Sequence, residues 1–368
     1  MIVVNEPDLG GNEADYVLEC LKTGWISSGG HFVEQFEQAW AEYCGMTYGV
    51  AVCNGTTALE AALASLDLKP GDEVIMPTFT IISCALAVVE QQAVPVLVDC
   101  DPETWCMDAS AVEEKITPRT RAIMTVHIYG HPVDMGPIIE LADQYHLAIV
   151  EDAAEAHGAE YKGKRCGGLG DLSCFSFYAN KIITTGEGGM VLCRDRNLAE
   201  KLKGERNLFF QADRRYLHDR LGHNYRMTNI QAAIGLAQVD QIDKHLAHKR
   251  WMADAYQERL GDLPGLQLPV EKPWAKNVYW MYGLVISEDT GMDARRMSEK
   301  LRAEGVETRA FFLGMHEQPA LRRRGLFLNE RHPVTERISR QGLYLPSGLT
   351  LTEEQVDVVC QAVRKCLK

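Results

Sequence analysis

The sequence has no stretch approaching the roughly 18 apolar residues that a membrane span needs. Nor does it have an excess of positive charge. Its 38 Lys and Arg against 51 Asp and Glu give a net charge of −13, which argues against a general binder of nucleic acid or anionic membrane. Its 11 cysteines are scattered, with no Cys-x-x-Cys pair. That rules against a disulfide scaffold and suits reduced thiols, most of them small core hydrophobes. The start, Met1 to Glu6, lacks the basic residues and apolar core of a signal peptide. A cytoplasmic protein with no nucleic-acid or membrane partner is therefore expected. Internal repeats, low-complexity segments and disordered linkers are missing as well.

What is present is the material of a globular α/β chain. At 368 residues with 46% hydrophobic content, two domains are the natural expectation. Glu73 to Met76, Val94 to Val98, Ala122 to Val126 and Ala148 to Val150 read as buried strands. Helical stretches lie between them, for example Met135 to Tyr145. The alternation predicts a mostly parallel sheet covered on both faces. A helical run from about Ile230 to Leu260 reads as a bridge, broken by Gly261-Asp262-Leu263-Pro264-Gly265. Beyond it the pattern predicts a strand from Val278 to Ile286, a helix from Asp293 to Glu304 and a last helix from Thr352.

Three segments carry chemistry. In the first, an apolar run from Phe175 leads to Lys181, followed by Thr184-Thr185-Gly186-Glu187-Gly188-Gly189. A lysine buried there can lose its proton near neutrality, because burial disfavours charge. A neutral amine condenses with an aldehyde. In the second, the strand from Ala148 ends in Glu151-Asp152 and the small residues Ala153 and Ala154. Open α/β sheets place ligands at such strand ends. Asp152 suits the carboxylate that pyridoxal phosphate needs beside its ring nitrogen. Ala153 and Ala154 leave room for a flat ring. In the third, the strand from Val50 breaks at Asn54-Gly55 and a helix begins at Thr56-Thr57. Free N–H groups and the helix dipole make that end an anion site. Thr56, Thr57 and Ser176 add hydroxyls for a phosphate. Plain helix capping is the alternative for both Asp152 and the threonines.

In chain order these segments resemble the fold-type I aminotransferases. The resemblance becomes specific through Gly24 to Gly29, Asn54 to Leu59, Met76 to Thr80, Val126 to Gly130 and Glu151 to Ala156. It continues through Asn224 to Asn229, Arg309 to Phe312, Met315-His316 and Leu345 to Gly348. The chain is similar to the sugar-nucleotide aminotransferases of the DegT/DnrJ/EryC1/StrS family, and within it to the members that make GDP-perosamine. This implies an aspartate aminotransferase-like, fold-type I architecture. A large cofactor-binding domain would span residues 1–250 and a smaller α/β domain residues 251–368. The first eleven or so residues would pack with the smaller one.

The resemblance also implies roles. Lys181 would be the Schiff-base lysine and Asp152 the ring-nitrogen partner, with Ala154 against the ring and Glu155 beside its hydroxyl. Thr56, Thr57 and Ser176 would hold the phosphate, joined by Asn224 of the partner subunit in a homodimer with composite active sites. Many members have an aromatic residue over the ring where this chain has Ile81, whose aliphatic side chain can cover the face by dispersion. L-glutamate would be the amino donor and GDP-4-keto-6-deoxymannose the acceptor, for O-antigen or another surface polysaccharide. The alternatives are a UDP- or dTDP-linked keto sugar as acceptor, a dehydrase on the same fold, or a non-catalytic sensor. A dehydrase would replace Lys181.

Other candidates are less anchored. Arg206, Arg214, Arg215 and Arg226 cluster in sequence and could receive a diphosphate. Ser27, Arg309 and His316 are candidate substrate contacts. His127 and His131 are four apart, but on a strand end that spacing separates them, so no metal site is expected. His157 reads as a structural histidine with its nitrogens satisfied. Gly167-Gly168-Leu169-Gly170 and Gly186 to Gly189 do not match a dinucleotide fingerprint and read as turns.

Overall fold

Short runs rich in Val and Ile build one seven-stranded sheet, because branched side chains pack well on a pleated surface. A computed structural model describes residues 1–211 and 213–367. Across the sheet the strands are Tyr48–Val52, Gly189–Cys193, Leu172–Ser176, Ala148–Asp152, Thr120–Val126, Glu73–Pro77 and Val94–Val98. Gly189–Cys193 runs antiparallel to both neighbours, and the remaining pairs are parallel. The helices Gly55–Ser65, Ile82–Glu90 and Met135–Tyr145 follow strands. The parallel strands therefore send their C-terminal ends, and the loops that follow, to one edge of the sheet, as in other open α/β sheets.

Beyond Leu260 a four-stranded antiparallel sheet runs in the order Leu266–Gln267, Gly283–Ile286, Gly342–Tyr344 and Arg309–Ala310. It packs with the helices Ala294–Ala303 and Glu353–Cys366 around a second apolar core that includes Tyr256, Leu284, Met297 and Val359. The chain start is fastened here. Ile2 bridges Val306, and the Ser347 N–H donates to the Val4 carbonyl at 2.7 Å. Among the described residues no helix is long and apolar enough to cross a membrane.

Several sequence expectations change in detail. The run from Ile230 to Leu260 is two helices, Asn229–Val239 and Ile242–Leu260, separated at Asp240 and Gln241. The predicted strand from Val278 shortens to Gly283–Ile286. Tyr279 adopts a positive φ of 49° and the Val278 N–H donates to the Gly130 carbonyl, so this stretch turns against the loop after Thr120–Val126 instead of pairing in the second sheet. The helix after Tyr48–Val52 starts at Gly55 with Asn54 as its N-cap, a residue earlier than Thr56.

Strand alternation decides the fates of the neighbouring acids Glu151 and Asp152, which point to opposite sheet faces. Glu151 is fully buried and collects the N–H groups of Gly167, Leu169 and Gly170 at 2.6–2.8 Å. The Ser173 hydroxyl adds a bond at 2.8 Å. His127 completes the set: its Nδ1 accepts the Val133 N–H, leaving Nε2 to donate to Glu151 at 3.1 Å. This explains His127 without a metal. His131 Nδ1 donates to Pro132 and its Nε2 accepts the Lys272 N–H. Among the described residues no group of three His, Cys, Asp or Glu could hold a metal ion. Glu151→Ala strands these donors in the core. It is expected to destabilise the fold by on the order of 3 kcal/mol, measurable as a lowered urea midpoint. A midpoint within error of the parent would refute the anchoring role.

Candidate active site

At the C-terminal edge of the first sheet lies a cavity of about 460 Å³, within the usual range for small-ligand sites. One end is the start of the Gly55–Ser65 helix. The Asn54 side chain accepts the Thr57 N–H at 2.9 Å, while the Thr57 hydroxyl donates to the Asn54 carbonyl at 2.9 Å. Thr57 is thus consumed by the cap and does not line the cavity, contrary to its expected phosphate role. Gly55 and Thr56 do line it, and their N–H groups, in the first helical turn, have no intrahelical acceptor. The Thr56 hydroxyl sits 2.8 Å from that of Ser83, a second wall residue at the start of the Ile82–Glu90 helix. Ser176 stands opposite, its hydroxyl accepting the Tyr178 N–H at 3.3 Å. A Cβ on Gly55 would lie 2.7 Å from that of Ser176, and one on Gly189 would lie 2.2 Å from the Asn54 carbonyl oxygen. Only glycine lets these three backbones close into a cradle.

Deeper in, Asp152 ends its strand with its carboxylate buried. One oxygen accepts the Ala154 N–H at 3.1 Å and the other accepts the Cys84 thiol at 3.1 Å. No helix follows, so the capping alternative for Asp152 is not what the fold uses. Burial raises its pKa, opposed by the two donors and by Lys181. Lys181 enters from the loop after Leu172–Ser176. Its Nζ is 3.9 Å from Glu155 Oε1. Burial lowers its pKa, opposed by Glu155 and Asp152. Glu155 Oε2 accepts the Tyr129 N–H at 2.8 Å, an orientation obtained by holding Tyr129 at φ 52°. Burial pushes Glu155 up to about 7 against the pull of Lys181. Ala154 and Ile81 face the space between. Ile81 is 46% exposed, so its side chain is free to cover a ligand.

The cradle, the buried carboxylate and the amine fit one molecule with a phosphate at one end, a basic ring nitrogen at the other and an aldehyde between. Pyridoxal phosphate has that layout, and Ala154 and Ile81 suit its flat ring.

Trp280, Phe312 and Tyr344 form a wall; only Phe312 lies in a stretch that carries the family resemblance, and none of the three was expected at the site. They come from the segment beyond Leu260, and their nearest sequence signal was the aromatic density of Tyr279 to Tyr282. Ser83 was detectable as a hydroxyl opening a helix after a strand.

The remaining candidates fall elsewhere. His316 is buried, its Nδ1 3.0 Å from the Thr78 hydroxyl and its Nε2 3.5 Å from Glu336. It buttresses the Thr78 loop and reaches no cavity wall. Arg309 is exposed and paired with Glu307 at 3.1 Å. Ser27, Arg215 and Arg226 gather with Arg206 around a second cavity of about 530 Å³. Arg206 is bound there by Glu37 and the Ala51 carbonyl, and Arg226 by Asn207 at 2.6 Å. Arg214 lies exposed, outside both walls. Asn224 is also exposed and does not line the cavity of its own chain.

His157 departs from expectation. It is fully buried among Trp40, Phe175 and Phe177, with ring centroids at 5.4–5.6 Å. Among the described residues neither ring nitrogen has a hydrogen-bond partner of good geometry, the Ser176 backbone giving only a weak contact. Burial, aided by the field of Lys181, pushes its pKa down to about 3. Unfolded, the imidazole takes a proton near 6.5; folded, it refuses one until about 3. Its contribution is therefore intact above pH 6.5 and is lost as pH falls from 6.5 towards 3. His157→Phe is expected to flatten that acid-side loss by up to one proton's worth, seen in urea midpoints between pH 7 and pH 4. An unchanged slope would contradict this.

A sequence profile described as the DegT/DnrJ/EryC1/StrS aminotransferase family matches residues 7–364. GDP-perosamine synthase from Caulobacter vibrioides is 45% identical over 370 residues, spanning 100% of this chain and 98% of that protein. GDP-perosamine synthase from Escherichia coli O157:H7 is 42% identical over 364 residues, spanning 99% and 98%. Among solved structures, the aminotransferase TlmJ from Streptoalloteichus hindustanus superimposes with a TM-score of 0.93 at 30% identity, covering 100% of this chain and 99% of that one.

Proposed function

This chain belongs to the DegT/DnrJ/EryC1/StrS aminotransferase family, and on that premise we propose that it moves the amino group of L-glutamate to GDP-4-keto-6-deoxymannose, forming GDP-perosamine. The observation that carries the acceptor is near-complete coverage at 45% and 42% identity by two relatives of that named activity. The reaction class rests also on the buried Lys181–Glu155–Asp152 set beside a phosphate cradle.

Pyridoxal phosphate, when bound, supplies an aldehyde that takes up an amino group and a ring that absorbs the electron pair left by a departing proton. The Gly55 and Thr56 N–H groups, with the Thr56, Ser83 and Ser176 hydroxyls, hold the phosphate. Asp152 keeps the proton on the ring nitrogen. Its buried setting makes the ionised form costly unless that positive charge lies beside it. Ala154 and Ile81 flank the ring, and Glu155 faces its hydroxyl. Lys181 Nζ takes the proton from the donor's α-carbon and delivers it to C4′, on the far side of the transferred nitrogen. With the keto sugar it runs the same shift in reverse, leaving the amine on C4 of the sugar. Burial lowers the pKa of Nζ, which favours the neutral amine that a base of this kind must present.

The active unit in this reading is a homodimer, with Asn224 of the partner subunit completing the phosphate site. Asn224's exposed position outside its own cavity supports this. Residues 1–250 form the large cofactor-binding domain and 251–368 the smaller one, a division supported by the second apolar core. Free thiols at all 11 cysteines support a cytoplasmic site of action, in the synthesis of O-antigen or another surface polysaccharide.

Cofactor-loaded protein given L-glutamate is expected to release 2-oxoglutarate with GDP-4-keto-6-deoxymannose and not with UDP- or dTDP-4-keto-6-deoxy sugars. Release with only one of the latter overturns the acceptor and keeps the reaction. Lys181→Ala is expected to lower turnover by at least about 10³-fold with an unchanged circular dichroism spectrum. Mixing it with inactive Asn224→Ala protein should restore activity that neither has alone. No restoration after subunit exchange would refute the composite site.

A further inference from the structure

Lys181 shares the cavity with an aromatic ring that comes from far along the chain. Its Nζ lies 3.7 Å from the centroid of the Trp280 ring, well inside the distance at which an aromatic face attracts a cation. The indole is held at two points. Its Nε1–H donates to the carbonyl of Asn180, the residue before the lysine, at 2.7 Å. Its backbone carbonyl accepts from Lys249 Nζ at 2.9 Å, and the same Nζ donates to the Ser347 carbonyl. Lys249 is buried with no carboxylate partner among the described residues. Burial pushes the Lys249 amine down to about 7, so holding it on two carbonyls is an expensive clamp, and one of those carbonyls belongs to Trp280.

The groups that face Lys181 are few. Glu155 stands at 3.9 Å, beyond hydrogen-bond reach. Asp152 acts at longer range, and His157 is neutral at physiological pH. Glu187, Cys174, Tyr178 and Tyr344 complete the titratable residues of the wall, and Glu187 makes no ion pair with Lys181. The charged amine therefore meets an indole face more closely than it meets any carboxylate.

We propose that Trp280 is a positioning residue for Lys181: its indole face carries the protonated amine between the two proton transfers, in place of a carboxylate that would compete for the proton. An aromatic quadrupole stabilises –NH₃⁺ but has no basic lone pair, so the proton stays available for carbon. A carboxylate in hydrogen-bond contact would hold it. Lys249 and Asn180 keep the ring in register.

This inference rests on reading Lys181 as the reacting amine. It can be tested without cofactor or substrate, so failure of the acceptor assignment would not affect the result. In cofactor-free protein, the pH dependence of Lys181 carbamoylation by cyanate, read by peptide mass spectrometry, reports the titration of that amine. In Trp280→Leu the midpoint is expected to fall by about one pH unit, because the π-face that favours the charged form is gone. Trp280→Phe should give a smaller fall. If the ring only excludes water, leucine leaves the midpoint unchanged or raises it, and either result overturns the proposal. Should Trp280→Leu fail to fold, protein grown with mono- and difluorotryptophan carries the test. Fluorination weakens the π-face at nearly constant shape, so the midpoint should step down with fluorine count. A constant midpoint across that series would overturn the proposal equally.

Discussion

The buried carboxylate of Glu151 is the interaction on which the site's geometry depends. One side chain ties the strand that ends in Asp152 to the glycine turn at Gly167–Gly170, and so to the strand that leads to Lys181. Its five donors include His127 from the neighbouring strand. An ionised group is tolerable at zero exposure only when every lone pair is used, and that requirement locks three strands at a common height. The acid next in sequence inherits the opposite face by the pleat and becomes the floor of the cavity.

The cavity then works by unequal burial of like and unlike charges. Asp152, Glu155 and Lys181 are all removed from water, so each is pushed towards its neutral form; Lys181 partly offsets this for both acids and they for it, while Asp152 pushes Glu155 further towards its neutral form. Two acids and one amine in so small a volume hold protons loosely. Small free-energy differences then decide which group carries one, and that suits a site whose task is to take a proton from one carbon and place it on another. The aromatic wall of Trp280, Phe312 and Tyr344 maintains this by keeping water out while adding no competing base.

Much of the site was readable because its parts are local. A lysine after an apolar strand, an acid at a strand end and a Gly-Thr pair opening a helix each mark themselves within a few residues. What misled was equally local in origin. Thr57 looks like a ligand hydroxyl, yet the four-residue geometry of the capping box claims it. His316 sits in a stretch associated with the cavity edge, but the fold turns its ring inward to Thr78, 238 residues away. His157 was read as satisfied because buried histidines usually are. Its partners turned out to be three aromatic rings, which sequence spacing does not reveal.

By itself, the sequence determined the four buried parallel strands from Glu73 to Val150, the helix Met135–Tyr145, the absence of a membrane-length apolar run and the three chemical segments. These follow from side-chain periodicity, capping and composition, which act over a turn or a strand. Only the tertiary structure decided which wall faces the lysine. Trp280 meets Asn180 across 100 residues of chain, and Thr56 meets Ser83 across 27. Contacts at such separations are selected by how whole elements pack, through many weak terms that no local pattern records.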